Sequence, residues 1–273
     1  MISIYRPLVG DEVRFIRIQP GAWTDPIRCD LVYQSLPNTR VDPVDAWLSD
    51  ISSSTTVTPG ISNPIEKPTY VALSYVWGDA SVTEELMLNG KPVQKTANLI
   101  AGLRQLRVLL ENPSRAPKTF DNHDVMFWID ALCIDQDNVE EKSMQVPRMG
   151  TIYSSAAVVV AWLGENGAED EKIRDLMSLA NTLCSRENSP QYELDDTMLK
   201  TLGSDRPSDM VLTLQHLCQR PWFDRVWIVQ EMVRSRRPAL LAGSYWCHYL
   251  HLEAVWIGIY KLHSCQPWFV RSS

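Results

Sequence analysis

The chain has 273 residues, 45% hydrophobic and 22% charged, with 26 basic and 33 acidic side chains and a net charge of −7. That is globular material for one large domain or two small ones, and the lack of any basic block predicts no nucleic-acid surface. Arg6, Asp11, Glu12 and Arg14 near the N-terminus predict no signal peptide, and the longest apolar run, Ala156 to Leu163, is too short for a membrane span. The cysteines, Cys29, Cys133, Cys184, Cys218, Cys247 and Cys265, form no C-x-x-C pair. They fit a reducing compartment and a cytoplasmic location.

In chain order, Val13 to Ile18 and Ile27 to Tyr33 read as an opening pair of strands. Residues 37–69 are rich in Pro, Ser, Thr and Asp and predict a long surface insertion. Tyr70 to Tyr75 is the first core strand. Leu86 to Val93 reads as a hairpin turning at Asn89-Gly90, a pair that tolerates the positive φ of a tight turn. Leu99, Leu103, Leu106 and Leu110 recur at helical spacing, with Asn98 as the expected N-cap. Val125 to Ile129 is a second core strand. A helix with Met144, Met149, Ile152 and Tyr153 on its inner face should follow, kinked or begun at Pro147. Ala156 to Leu163 is a third strand. This alternation predicts a parallel sheet with helices on its faces. Beyond it, Ile173, Leu176, Met177, Ala180, Leu183 and Cys184 form a helical stripe. Residues 185–209 read as irregular, and helices are expected over 211–218, 223–234 and 253–262. Ala239 to Ala242 reads as a late strand.

Three apolar runs end in polar side chains, which is where open α/β sheets hold their ligands. Tyr70 to Tyr75 leads into Val76-Trp77-Gly78-Asp79. Val125 to Ile129 leads into Asp130, Cys133, Asp135 and Gln136. Arg225-Val226-Trp227-Ile228-Val229 leads into Gln230-Glu231. Trp77, Trp128 and Trp227 lie beside these clusters and are candidate pocket walls. Asp130 and Asp135 suit either a metal or acid–base pair or a structural part, capping the next helix and satisfying loop amides; the structural reading is the better one for Asp135, and a mixed role for Asp130. Cys133 between them reads better as a buried thiol than as a nucleophile. Cys247 and His251 share i,i+4 spacing, but with His248, His263 and Cys265 they match no standard zinc pattern, so no metal is expected. There is no G-x-G-x-x-G and no phosphate loop.

Ala72-Leu73-Ser74-Tyr75-Val76-Trp77-Gly78 and Trp128-Ile129-Asp130-Ala131-Leu132-Cys133-Ile134-Asp135-Gln136 resemble two blocks of the fungal heterokaryon incompatibility (HET) domain. Glu141, Ser143, Gln145, Met149, Ile152 and Tyr153, then Ala157 and Trp162-Leu163-Gly164, continue the likeness. Trp222-Phe223-x-Arg225-Val226-Trp227-x-x-Gln230-Glu231 closes it. Asp135 departs from the family's commoner Asn. The resemblance implies one HET domain over 1–273, with its core at about 28–245, a loop insertion at 37–69 and a helical insertion at about 165–220. It also implies nonself recognition coupled to programmed cell death, with self-association on activation and an upstream recognition protein as partner.

The family is remotely similar to TIR domains, which implies a flavodoxin-like central parallel sheet flanked by helices. Leu73-Ser74-Tyr75 looks like the end of the first TIR strand, and Ile129-Asp130 like the end of the second. Trp227-x-x-x-Glu231 looks like the TIR Trp-Cys-x-x-Glu element with one residue added. In an α-helix that residue would turn Glu231 by about 100°. The likeness makes Glu231 the candidate catalytic carboxylate for hydrolysis of NAD, which enters as substrate rather than cofactor. Ser74, Tyr75, Trp77, Gly78, Asp130, Cys133, Arg225, Trp227 and Gln230 are the candidate substrate-binding residues. A related nucleotide is an alternative substrate. The other class of reading is a non-catalytic death-signalling module, in which Glu231 is an ion-pair partner of Arg225, Arg234 or Arg236.

Overall fold

In a computed structural model, the structure describes residues 3–36, 70–112, 116–121, 124–167, 170–184, 207–233, 235 and 237–264. The insertion expected at 37–69 lies outside these residues. So do 185–206 of the stretch read as irregular; from Pro207 the chain is helical. The chain divides into two compact units, Met1–Trp162 with Arg225–Pro238, and Leu163–Asp224 with Ala239–Ser273.

The first unit is built on a sheet. Strands β1 (Glu12–Ile18) and β2 (Arg28–Ser35) form the expected opening pair, antiparallel from Glu12↔Ser35 to Ile18↔Cys29. β3 (Tyr70–Tyr75) is buried along its whole length, as an apolar run with neighbours on both edges must be. β4 (Thr83–Leu88) and β5 (Lys91–Thr96) make the predicted hairpin. Its turn residues Asn89 and Gly90 have φ of +49° and +73°, the left-handed pair that matches the twist of the flanking strands.

Helix α1 (Ala97–Glu111) lays Leu99, Ile100, Leu103 and Leu106 into the core. Its N-cap is Thr96 rather than Asn98. The Asn98 side chain is used elsewhere: it donates to the Val76 carbonyl and accepts from Trp162 Nε1 at 3.0 Å. β6 (Met126–Trp128) is followed at once by the single turn α2 (Asp130–Cys133). The helix expected around Met144 is in three pieces: α3 (Val139–Gln145), a 3₁₀ turn (Val146–Arg148) and α4 (Met149–Ser155). Pro147 lies in the first positions of the middle piece, where its missing N–H costs least. β7 (Val158–Trp162) is the last strand that lies wholly in this unit.

The strand order in this unit is β5-β4-β2-β1-β6-β3-β7. β3 runs parallel to both β6 and β7, as the strand–helix alternation predicts. The sheet as a whole is nevertheless mixed, which corrects the expectation of a parallel one. β1 pairs antiparallel with β6 through Ile16↔Phe127, and β2 pairs parallel with β4. The N-terminal pair thereby covers an edge of the parallel trio that would otherwise leave backbone groups unsatisfied. Arg14 of β1 is fully buried; it donates to Glu141 of α3 and to the Cys133 carbonyl.

The second unit holds α5 (Asp170–Cys184), α6 (Pro207–Cys218), a 3₁₀ turn (Pro221–Asp224), the antiparallel pair β8 (Pro238–Ala242) and β9 (Tyr245–His248), and α7 (Tyr249–Ser264). Ile173, Leu176, Met177 and Ala180 are buried as their spacing predicts. β9 was not legible in its mixed sequence Tyr-Trp-Cys-His. Among the described residues no helix is long and apolar enough to cross a membrane.

Candidate functional site

Ser74 and Tyr75 end β3, and Asp130 follows β6 by two residues. Because the two strands are parallel and adjacent, their carboxyl ends bring these side chains to one edge of the sheet. The third contributor comes from 225–233. A continuous helix was expected over 223–234. Instead the 3₁₀ turn ends at Asp224, Arg225 lies in no regular element, and Val229–Val233 is a π-helical turn. The β-branched residues Val226 and Ile228 lose side-chain freedom in a helix and disfavour one here.

This irregular path delivers Glu231 to Ser74. Glu231 is 1% exposed. Its Oε1 accepts from Arg225 Nη2, and its Oε2 from Arg225 Nη1, each at 2.9 Å. Ser74 Oγ donates to Oε2 as well, and itself accepts from Arg225 Nη1 at 3.0 Å. Three residues that sequence reasoning singled out thus form one closed network. Of the ion-pair partners considered for Glu231, Arg225 is the one used; Arg234 and Arg236 lie outside the described residues.

A second pair stands beside it. Trp77, half exposed, donates from Nε1 to Asp130 Oδ2 at 3.3 Å. Asp130 Oδ1 accepts from the amide of the next residue, Ala131, at 2.7 Å within the first turn of α2, whose N-cap is Ile129. Burial pushes the Asp130 carboxyl above its ordinary value, and the negative charge of Glu231 adds to this; the Ala131 amide, Trp77 and Arg225 oppose it. Burial and the Asp130 carboxylate push the Tyr75 hydroxyl well up. Tyr153, which the sequence offered only as a family position, belongs to the same surroundings. Its hydroxyl donates to the Leu73 carbonyl, its ring packs edge-on to Trp128, and burial with the charges of Glu231 and Asp130 raises it strongly.

The other expected residues fall outside this network. Cys133 is 2% exposed; its Sγ accepts from the Ile129 amide, and burial pushes the thiol to about 12. It is a buried thiol at the end of α2, as its setting in the sequence favoured. Trp128 is buried too. Trp227 and Gln230 are exposed and make no side-chain bond to Ser74, Asp130 or Glu231. Gly78 has φ of +77° and turns the chain after Trp77, close against Asn98. Asp135 donates its amide to Glu141, and its Oδ1 accepts from the Asp137 amide, a loop-holding role as expected.

Sequence reasoning missed Lys95. Its Nζ donates to the Ala131 carbonyl at 2.7 Å, and burial lowers the amine against the opposing pull of Asp130. A lysine alternating in a hairpin strand gave no signal of it. Among the described residues no group of three or more metal-ligating side chains converges. A cavity of about 660 Å³ lies in the second unit, lined by Leu214, Phe223, Tyr249, Leu252 and Trp256 among others, and shares no residue with this network.

A family model described as heterokaryon incompatibility protein (HET) matches residues 70–231, a span that contains every residue of the network. Heterokaryon incompatibility protein 6, OR allele, from Neurospora crassa is 29% identical to this chain over 235 residues, covering 74% of this chain and 33% of that protein. The chain therefore spans about a third of the length of that relative. No solved structure matches it.

Proposed function

Because the chain belongs to the heterokaryon incompatibility (HET) family, we propose that it is a nonself-recognition effector domain that hydrolyses the nicotinamide–ribose bond of NAD in a TIR-like way. The observation that carries this reading is the position of Glu231, buried at the carboxyl end of β3 on Ser74 and Arg225. Breaking the bond from ribose to a cationic nicotinamide needs no strong acid, since the departing ring takes the electron pair and becomes neutral. It needs negative charge beside the ribose, where positive charge grows, and carboxylates held in a poorly hydrated place supply it. The network places two, Glu231 and Asp130, in each other's field.

Two features support the TIR-like part. β6, β3 and β7 stand side by side in the order second, first, third along the chain, which is how a flavodoxin-like sheet begins. The residue added between Trp227 and Glu231 falls in a π-helical turn. Such a turn absorbs an extra residue locally and recurs at functional sites, so the rotation expected of an α-helix does not apply.

Activation by self-association, and delivery of the signal by an upstream nonself-recognition protein in the cytoplasm, belong to the same proposal. A second reading rests on the Arg225–Glu231 contact: with both oxygens engaged, Glu231 is the pin of a non-catalytic death-signalling module that works by recruiting partners. NAD loss and nicotinamide release by concentrated and artificially clustered protein separate the two. Turnover by the wild type that Glu231→Gln lacks is the expected result. Equal turnover by both moves the chemistry to other residues, and no turnover under clustering leaves the recruiting module.

A further inference from the structure

The cavity of about 660 Å³ in the second unit has walls with a chemistry of their own. On α7, Tyr249, Leu252, Glu253 and Trp256 are spaced i, i+3, i+4 and i+7, so they stand on one face of the helix. On α6, Leu214 and Cys218 are one turn apart and line the cavity too, and Phe223 of the 3₁₀ turn adds a further side. Leu214 and Leu252 are buried and give it an apolar base. Tyr249 and Trp256 are left 39% and 46% exposed, so their rings still have surface for a ligand to cover. The volume is that of a small-molecule site, and such sites combine apolar and aromatic walls with a few polar groups that fix orientation.

The charge of this lining is one-sided. Glu253 lines it, while no lysine, arginine or histidine does. Glu253 is exposed, and among the described residues its carboxylate has no hydrogen bond or ion pair. Arg220, the cation that follows α6, is turned elsewhere: it donates to the Leu163 and Gly164 carbonyls and to Asn166 Oδ1. Burial, and then the charge of Glu253, raise the Tyr249 hydroxyl, so this wall is a neutral phenol in the field of the carboxylate. A carboxylate without a partner, beside aromatic rings whose faces are negative, repels anions and attracts cations. A hard metal ion would need several oxygen ligands, and Glu253 is the carboxylate that this lining offers. We propose that the cavity binds a small organic cation, an apolar body carrying an ammonium head. The head sits between Glu253 and the rings of Tyr249 and Trp256, and the body lies on Leu214, Leu252 and Phe223. The site is independent of the NAD reading, since it shares no residue with the Glu231 network.

The test uses Cys218, which lines the cavity and is exposed, whereas Cys29, Cys133 and Cys247 are buried. The full wild-type chain is alkylated with iodoacetamide at low salt, with octyltrimethylammonium, octanoate or octanol present, and the reaction at Cys218 is read by peptide mass spectrometry. The cation is expected to protect Cys218 at concentrations about tenfold or more below those octanoate needs, with octanol between them. Glu253→Gln is expected to weaken protection by the cation about threefold or more and to leave that by octanol unchanged. Trp256→Leu is expected to weaken it about threefold or more through the lost ring. Both replaced side chains are exposed, and the wild-type comparison of the three compounds stands whether or not a variant folds. Octanoate that protects as well as the cation overturns the proposal, as does an absence of protection by all three compounds. Protection by the cation that either folded variant leaves unchanged overturns it too.

Discussion

Arg225 grips both oxygens of Glu231 from six residues away, with Nη1 on Oε2 and Nη2 on Oε1 at 2.9 Å each. Six is not a helical neighbour spacing, since side chains three or four apart face each other on a helix. The pair exists because Arg225 lies outside any helix and the chain then turns through Val226 and Trp227 into the π-helical segment. The ion pair and the irregular backbone therefore require each other.

Cutting that pair should be expensive. Arg225→Ala leaves the Glu231 carboxylate buried with only the Ser74 hydroxyl, and an uncompensated buried charge costs about 3–5 kcal/mol. Arg225→Lys keeps the charge but gives up the two-pronged geometry, so a smaller loss is expected. Urea unfolding of the three proteins side by side checks the ranking. A loss under 1 kcal/mol for Arg225→Ala would show that the pair contributes nothing in solution.

The pair Arg14–Glu141 makes a prediction about pH. Both side chains are almost fully buried, and Glu141 also accepts the Asp135 amide at 2.8 Å. Burial alone would push the Glu141 carboxyl up, but the Arg14 hydrogen bonds, the Asp135 amide and the Arg14 charge outweigh it, and its pKa falls below 4.5. A carboxylate lowered in the folded state takes up its proton first when unfolded. Its contribution is therefore complete above about pH 4.5 and is lost as the pH drops through the lower folded value. Glu141→Gln should cost about 3–5 kcal/mol at pH 7, and the gap from wild type should narrow as the pH falls below 4.5. Denaturant melts of both proteins at several pH values measure the gap; one that widens on acidification contradicts the assignment.

Gly243, in the turn between β8 and β9, should tolerate no side chain. Its φ is +53°, and a Cβ there would lie 2.5 Å from Asn166 Nδ2. Asn166 cannot move aside freely, because that nitrogen donates to the Ala242 carbonyl and its Oδ1 accepts from Arg220. The left-handed backbone alone costs about 1–2 kcal/mol for a residue with a Cβ, and the clash adds to it. Gly243→Ala should lower the melting temperature of the second unit by several degrees, whereas Gly90→Ala should show only the backbone cost, having open space around it. Equal shifts for the two variants would rule out the Asn166 contact as a cause.

Much of the first unit was legible because its signals are local. Alternation gives β1 and β2, Asn89-Gly90 gives the hairpin, and the six-residue apolar run gives β3. Asn98 shows where such reading fails: it has the right chemistry for a cap, but Val76 and Trp162 claim its side chain. Cys133, by contrast, is the buried thiol that the sequence favoured. Its neighbours Asp130 and Asp135 reach other groups, while α2 turns its thiol back against the strand. The mixed sheet was hidden because nothing in Val13 to Ile18 says which edge it will cover.

By itself, the sequence determined the family, the parallel trio at the centre and the candidates Ser74, Asp130, Arg225 and Glu231. The family shows in motif blocks that resemble it, and the trio follows from apolar runs and periods that fix one segment at a time. Only the tertiary structure decided which residues meet: Ser74 with Glu231 across 157 positions, Arg14 with Glu141 across 127, and Trp77 with Asp130 across 53. A buried charge is stable only beside its partner, and which partner is near is set by how the strands order themselves and where the backbone bulges.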